Sequence, residues 1–265
     1  MLIDSHTHIG TILDFDLPQE ALIRTMDRYG VDRAVVSNIE GAEFDHSCVP
    51  LGKDVVREQI GVNQVTIDFA KSNPGRIFPL VWVMPATGGV TEDFKRFITQ
   101  NRNDIYGLKF HPYLNQSPVD SELALPYIRL AAEYDLPVVV HTASSDESDP
   151  LRVESVARAF PGTRFLLVHM GLYTDNEESI NLILKYPNIY GDTTWVKPQN
   201  AMRLIGRGGA EKIMFGTDAL VLGEDDYLNE QNRTYIYEWR NVLSSEDHAM
   251  LLSENAVKFF GIGGK

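Results

Sequence analysis

Cysteine is nearly missing from this chain: Cys48 is the only one in 265 residues, so no intramolecular disulfide can form and a disulfide-stapled secreted scaffold is excluded. Positive charge is scarce too, with 24 Lys+Arg against 37 Asp+Glu and a formal net charge of -13. A polyanion would meet repulsion over most of such a surface, which argues against nucleic acid and anionic membranes as partners. No apolar run approaches the roughly 20 residues that a bilayer span needs. The first residues read as a strand rather than as a charged segment followed by an apolar one, so the expectation is a cytoplasmic protein. What is present is ordinary: 43% hydrophobic, 10% aromatic and 23% charged residues describe a globular chain, not a disordered one.

Short apolar, β-branched runs alternate with amphipathic stretches at intervals of roughly 25–45 residues, the rhythm of βα units. Eight runs stand out: Leu2–His8, Arg33–Ile39, Ile77–Met84, Ile105–His111, Pro137–Thr142, Arg164–His169, Asn188–Thr193 and Lys212–Thr217. Several, such as Phe165-Leu166-Leu167-Val168, are apolar on both faces, as a parallel sheet covered by helices requires. Between them lie helical spacings such as Leu123, Tyr127, Leu130, Ala131 and Tyr134. Start signals accompany these, with Asp120 or Ser121 as cap of the fourth helix, Asp149 before Pro150 for the fifth and Ser245 with Glu246 for the last. No linker or composition break divides the chain, so residues 1–265 predict a single α/β domain, a (β/α)8 TIM barrel with a C-terminal helix, rather than two doubly wound halves. The longest irregular stretch, Glu40 to Leu51, is expected as a loop on the catalytic face.

Of the seven histidines, His6, His8, His111, His141 and His169 fall at the C-terminal ends of expected strands, where barrel active sites are built. His6 and His8 are two apart on a strand and therefore point to one side. His141 and His169 end strands 5 and 6, and Asp218 follows Phe215-Gly216-Thr217 on strand 8. An HxH pair alone is a weak motif, and a lone strand histidine is more often core than ligand. Nitrogen and carboxylate donors converging from several strands point to a first-row divalent metal, Zn²⁺ foremost, with Mn²⁺, Co²⁺, Fe²⁺ or Ni²⁺ as alternatives. His46, in the loop after strand 2, is a candidate substrate contact, and His248, in the last helix, is expected at the surface.

With Ile3-Asp4-Ser5-His6-Thr7-His8, Gly107-Leu108-Lys109-Phe110-His111-Pro112, Val140-His141-Thr142, Val168-His169-Met170-Gly171 and Phe215-Gly216-Thr217-Asp218, the chain resembles the amidohydrolase superfamily. More narrowly it resembles the amidohydrolase-related branch that includes the aminocarboxymuconate-semialdehyde decarboxylase-like proteins, down to the closing Ser253–Gly261 segment. The resemblance implies that His6, His8 and His141 bind the metal, that Asp218 binds the metal or its water and handles the proton, and that His169 steadies the water or polarises the substrate. A divalent ion would lower the pKa of bound water toward about 7. Two positions depart from the pattern. Lys109, on strand 4, corresponds to the lysine that bridges two ions when carboxylated in binuclear members; its other reading is a barrel-interior lysine paired with Asp4 or Asp192, and one ion is expected rather than two. After Asp218, Ala219-Leu220 stands where the branch often has a proline nearby.

These residues predict a metal-dependent hydrolase that cleaves an amide, lactone or ester bond. The same site admits a non-oxidative decarboxylase of an aromatic or enoic carboxylic acid, and, further off, a barrel that binds without turnover. A decarboxylase needs an arginine near the metal, and Arg233 is the one candidate on the catalytic face. His111, Tyr113, Trp82 and Trp195 are expected to contact a small-molecule substrate, with Tyr173 beside them; acids at Glu43, Asp45, Asp146, Glu147, Asp149 and Glu224–Asp226 would give an anionic rim favouring a neutral, cationic or singly anionic one. Those acids also suit helix N-termini. A homo-oligomer is compatible with the sequence.

Overall fold

The computed structural model describes residues 1–263. Its strands are β1 (Ile3–Ile12), β2 (Phe15–Leu17), β3 (Arg33–Asn38), β4 (Ile77–Pro79), β5 (Val81–Trp82), β6 (Leu108–Phe110), β7 (Val138–Ala143), β8 (Phe165–Leu172), β9 (Ile189–Asp192) and β10 (Ile213–Met214). They form two sheets, β2-β1-β3-β4 and β10-β9-β8-β7-β6-β5. Every pairing is parallel except the β1–β2 hairpin. All eight expected runs are strands, the third split at Leu80 into β4 and β5. Across that split Leu80 N–H donates to Val36 O at 2.8 Å and Val81 N–H to Gly107 O at 2.9 Å, so backbone bonding passes from one sheet to the other. At the opposite edges Ser5 N–H donates to Phe215 O at 2.9 Å, Asp218 N–H to His6 O at 2.9 Å and His8 N–H to Ala219 O at 2.8 Å.

The helices between strands are α1 (Gln19–Tyr29), α2 (Gln59–Ser72), α3 (Glu92–Gln100), α4 (Pro112–Asn115), α5 (Leu125–Glu133), α6 (Pro150–Ala159), α7 (Glu177–Lys185) and α8 (Pro198–Leu204), followed by α9 (Glu230–Arg233), α10 (Ser245–Ala249) and α11 (Asn255–Phe260). Strand parity sorts the core. Val138 and Val140 pack in the large cluster with helix side chains, whereas Val139 joins Ile3, Val35, Phe78, Leu166 and Met214 in a second cluster that Phe259 and Phe260 of α11 close off.

Local signals hold in part. Asp149 accepts the Leu151 N–H at 2.8 Å, with Pro150 in the first turn of α6. The fourth helix starts later than expected: Ser121 Oγ accepts Ala124 N–H at 3.2 Å in a preceding turn, and Leu123 is exposed outside α5. The cap of α10 is Ser244, not Ser245, because its hydroxyl reaches Asp247 N–H at 3.0 Å. His248 is half-buried rather than superficial, its Nε2 donating to Tyr235 O at 2.8 Å. No helix among the described residues is long and apolar enough to cross a membrane.

Candidate metal centre and cavity

On β1 the expected parity holds: His6 Nε2 and His8 Nε2 lie 2.9 Å apart. Asp218, with a left-handed φ of 71° that Asp tolerates better than most residues, brings its Oδ1 to 3.1 Å from His8 Nε2 and 3.4 Å from His6 Nε2. Among the described residues, these three donors form a cluster within 4.8 Å. Lys109 Nζ also reaches His6 Nε2 at 2.9 Å. A single imidazole nitrogen offers one hydrogen or one lone pair, so His6 Nε2 cannot satisfy all these neighbours by hydrogen bonding. Two imidazoles and a carboxylate converging in this way fit a divalent transition ion. Ser37 Oγ, 3.0 Å from His8 Nδ1, fixes that ring from behind.

Lys109 is completely buried but does not form the expected pair with Asp4. The Asp4 carboxylate instead accepts Thr217 Oγ1–H and Tyr227 O–H, both at 2.5 Å. Asp192 accepts His169 N–H at 2.9 Å and Thr194 Oγ1–H at 2.9 Å, and influences Lys109 through its charge. Burial pulls the Lys109 ammonium down to about 8 against the opposing pull of Asp218 and Asp192. Burial likewise holds His6, His111 and His141 well below the usual imidazole range and brings His169 to about 4, so these rings are neutral. For Asp218 burial works against the charge, but the hydrogen bond from His8 helps to outweigh it, and the carboxylate lies well below its ordinary range.

His141 sits in a stacked row. Its ring lies 3.9 Å from that of His111 at 13°, and His111 lies 5.5 Å from Trp82 at 20°. Its Nδ1 is 3.1 Å from His169 Nε2, and His169 Nδ1 is 3.3 Å from Thr194 O. A carbonyl can only accept, so His169 carries its proton on Nδ1 and its bare Nε2 accepts from His141 Nδ1–H. That chain leaves the lone pair of His141 on Nε2, as a metal ligand requires.

Above this cluster opens a cavity of about 610 Å³ lined by His8, His111, His141, His169, Asp218 and Trp195, with Tyr113, His46, Tyr173 and aliphatic carbons toward the mouth. Trp195 Nε1–H donates to Asp218 Oδ2 at 2.9 Å. Tyr113 O–H donates to His46 O at 2.6 Å, and His46 Nε2 to Asp14 Oδ1 at 2.8 Å. Trp82 is fully buried behind His111, outside the lining, with its indole N–H on Asn115 Oδ1 at 3.1 Å.

Of the eight acids expected at the rim, Asp45 and Glu147 act through their charge on Tyr113 of the lining, whereas five are engaged elsewhere. Glu43 is buried and accepts Thr87 N–H, Thr87 Oγ1–H, Asn115 Nδ2–H and Ala86 N–H. Asp149 caps α6, while Glu224 and Asp225 pair with Arg24 and Arg28. Asp226 is buried beneath Leu222 N–H, and burial pushes it up to about 7. Among the described residues, Asp218 is the only carboxylate lining the cavity. The fastening roles of Glu43, Asn115 and Tyr227 had no signal in the sequence, since their partners lie on distant segments.

Parallel strands presenting a histidine–carboxylate cluster at the base of a cavity define a metal-dependent α/β enzyme site. The chain belongs to the amidohydrolase family, whose model matches residues 3–262. No curated protein matches it by sequence. Its fold is similar to that of 5-carboxyvanillate decarboxylase from Novosphingobium aromaticivorans, complexed with manganese and 4-hydroxy-3-methoxy-5-nitrobenzoic acid (TM-score 0.72, 16% identity, 98% of this chain and 96% of that one). It is also similar to 2,6-dihydroxybenzoate decarboxylase from Rhizobium (TM-score 0.68, 15% identity, 99% of both chains). A third likeness is to a probable 2-pyrone-4,6-dicarboxylic acid hydrolase from Acinetobacter baumannii with citric acid bound (TM-score 0.66, 13% identity, 98% and 99%). At these identities the likeness is one of fold.

Proposed function

We propose that this chain is a metal-dependent hydrolase of small molecules, cleaving an amide, lactone or ester bond, on a single closed (β/α)8 barrel. The carrying observation is the convergence of His6, His8 and Asp218, with a neutral His141, outside that group of three, lining the same cavity and keeping its lone pair on Nε2. The backbone bonds from β1 to Phe215 and Ala219 support the closed barrel.

These residues would hold one zinc, or another first-row divalent ion, which when bound supplies Lewis acidity and makes water acidic enough to react near neutral pH. Asp218 is ionised and faces the cavity, placed to take the proton of the attacking water and return it to the leaving group. Trp195 N–H holds its second oxygen in place. His169 orients His141, and His111 walls the cavity while its Nδ1 accepts Leu114 N–H at 3.2 Å. Lys109, unless carboxylated, holds a positive charge against His6.

The decarboxylase reading keeps the same cluster but needs a cation for the substrate carboxylate. Among the described residues no arginine or lysine lines the cavity, and Arg233 stands exposed on α9. The deciding experiment gives the zinc- or manganese-loaded protein a panel of esters, lactones and amides alongside aromatic carboxylic acids. Hydrolysis without release of CO2 is expected; CO2 release from an aromatic acid with no hydrolysis would contradict the reading.

A further inference from the structure

The cavity changes character with depth. Beside the polar groups of its floor, its lining carries the apolar side chains of Phe15, Ile39, Leu172, Val221 and Leu222 and the ring of Tyr173, interrupted by Ser144, Ser145 and His46. Tyr173 and Leu222 remain 87% and 61% exposed there. No lysine or arginine belongs to the lining, and Lys109, two residues from His111, lies buried against His6. Arg152 donates to Asp120 Oδ1 at 3.1 Å, and Lys197, next but one to Trp195, is exposed outside the lining. His46 offers no net charge when it is paired with Asp14. An anionic substituent entering this mouth would lose its hydration without a counter-charge, a loss that apolar contacts do not repay. An uncharged ring system loses only unfavourable hydration, and about 610 Å³ lies within the size range of a ligand with more than one ring.

We propose that the substrate is an uncharged molecule whose body is an apolar, ring-containing group of about two rings, lodged against Phe15, Leu172, Tyr173 and Leu222 with its reacting bond toward Asp218. The identity of the reacting bond rests on the hydrolase reading; the nature of the body rests on the cavity wall alone.

The test is calorimetric binding of a matched pair, N-(2-naphthyl)acetamide and its 6-carboxylate analogue, to the zinc-loaded protein and to a Tyr173→Arg variant, which adds a cation at an exposed position. The neutral amide is expected to bind at least tenfold more tightly than the acid to the unaltered protein, and Tyr173→Arg to narrow that gap to about threefold by tightening the acid. Equal or tighter binding of the acid to the unaltered protein would overturn the proposal, as would no measurable binding of the neutral compound. Preferential binding of the neutral compound together with no turnover of any ester, lactone or amide would support this assignment and refute the hydrolase reading, so the two fail separately.

Discussion

At the floor of the cavity, His6 lies close to His8, Lys109 and Asp218 at once, and burial favours its neutral form. At the mouth, the Tyr173 ring and the Leu222 side chain are open to solvent. The floor hangs from strand backbone: Asp218 N–H bonds to His6 O and His8 N–H to Ala219 O, so the ligand geometry is fixed by the same bonds that join β1 to the last strand segment. The mouth hangs from loops fastened by single buried acids, Glu43 for the loop after β3 and the Asp4–Tyr227 contact for the loop after β10. Chemistry and recognition are therefore carried by separately supported parts, and each can be disturbed without the other.

The sharpest separation is Asp218→Asn. It removes the proton acceptor but keeps the shape of the floor, so kcat should fall by about a thousandfold while binding of a neutral ligand changes little. Steady-state kinetics beside calorimetry would show this, and near-normal kcat would refute the proton-handling role. Next comes Glu43→Ala, which leaves the donors of Thr87, Ala86 and Asn115 unmatched in a buried place. A loss of about 3 kcal/mol in a urea melt is expected, with the metal retained in the folded fraction. Trp195→Phe removes one hydrogen bond to an ionised oxygen and should lower kcat about tenfold with KM nearly unchanged; a change confined to KM would place Trp195 in binding alone.

The smallest effect is a pH slope. Asp226 has its pKa raised by burial to about 7 in the folded chain, against about 3.9 in an unfolded one. Between these values the folded state holds a proton that the unfolded state has lost, so this group's stabilisation is complete below about pH 4 and disappears as pH rises through about 7. Asp226→Asn should flatten the fall in melting temperature over that window, since an amide oxygen can still accept Leu222 N–H; an unchanged slope would show that Asp226 does not titrate there.

The contrast between floor and mouth also marks what the sequence discloses. Strand parity placed His6 and His8 on one side, and the ends of the expected strands brought His141, His169 and Asp218 into the same cavity, because period-2 geometry is local. Parity did not locate Trp82, which ends β5 but faces behind His111. Glu43 and Glu224, read as part of a rim, became fastenings because their partners, Thr87 and Arg24, are remote in sequence. The hairpin strand β2 was equally silent: three residues, Phe15–Leu17, carry too little periodicity to read.

The central claim is that one ion belongs to the His6–His8–Asp218 floor with His141. The most direct measurement is the metal content of the purified protein and of His8→Ala, each after loading with zinc and removal of the excess. About one equivalent per chain, reduced to a small fraction in the variant while the fold persists by circular dichroism, is the expected result. No bound metal in the unaltered protein, or an undiminished equivalent in His8→Ala, would contradict it.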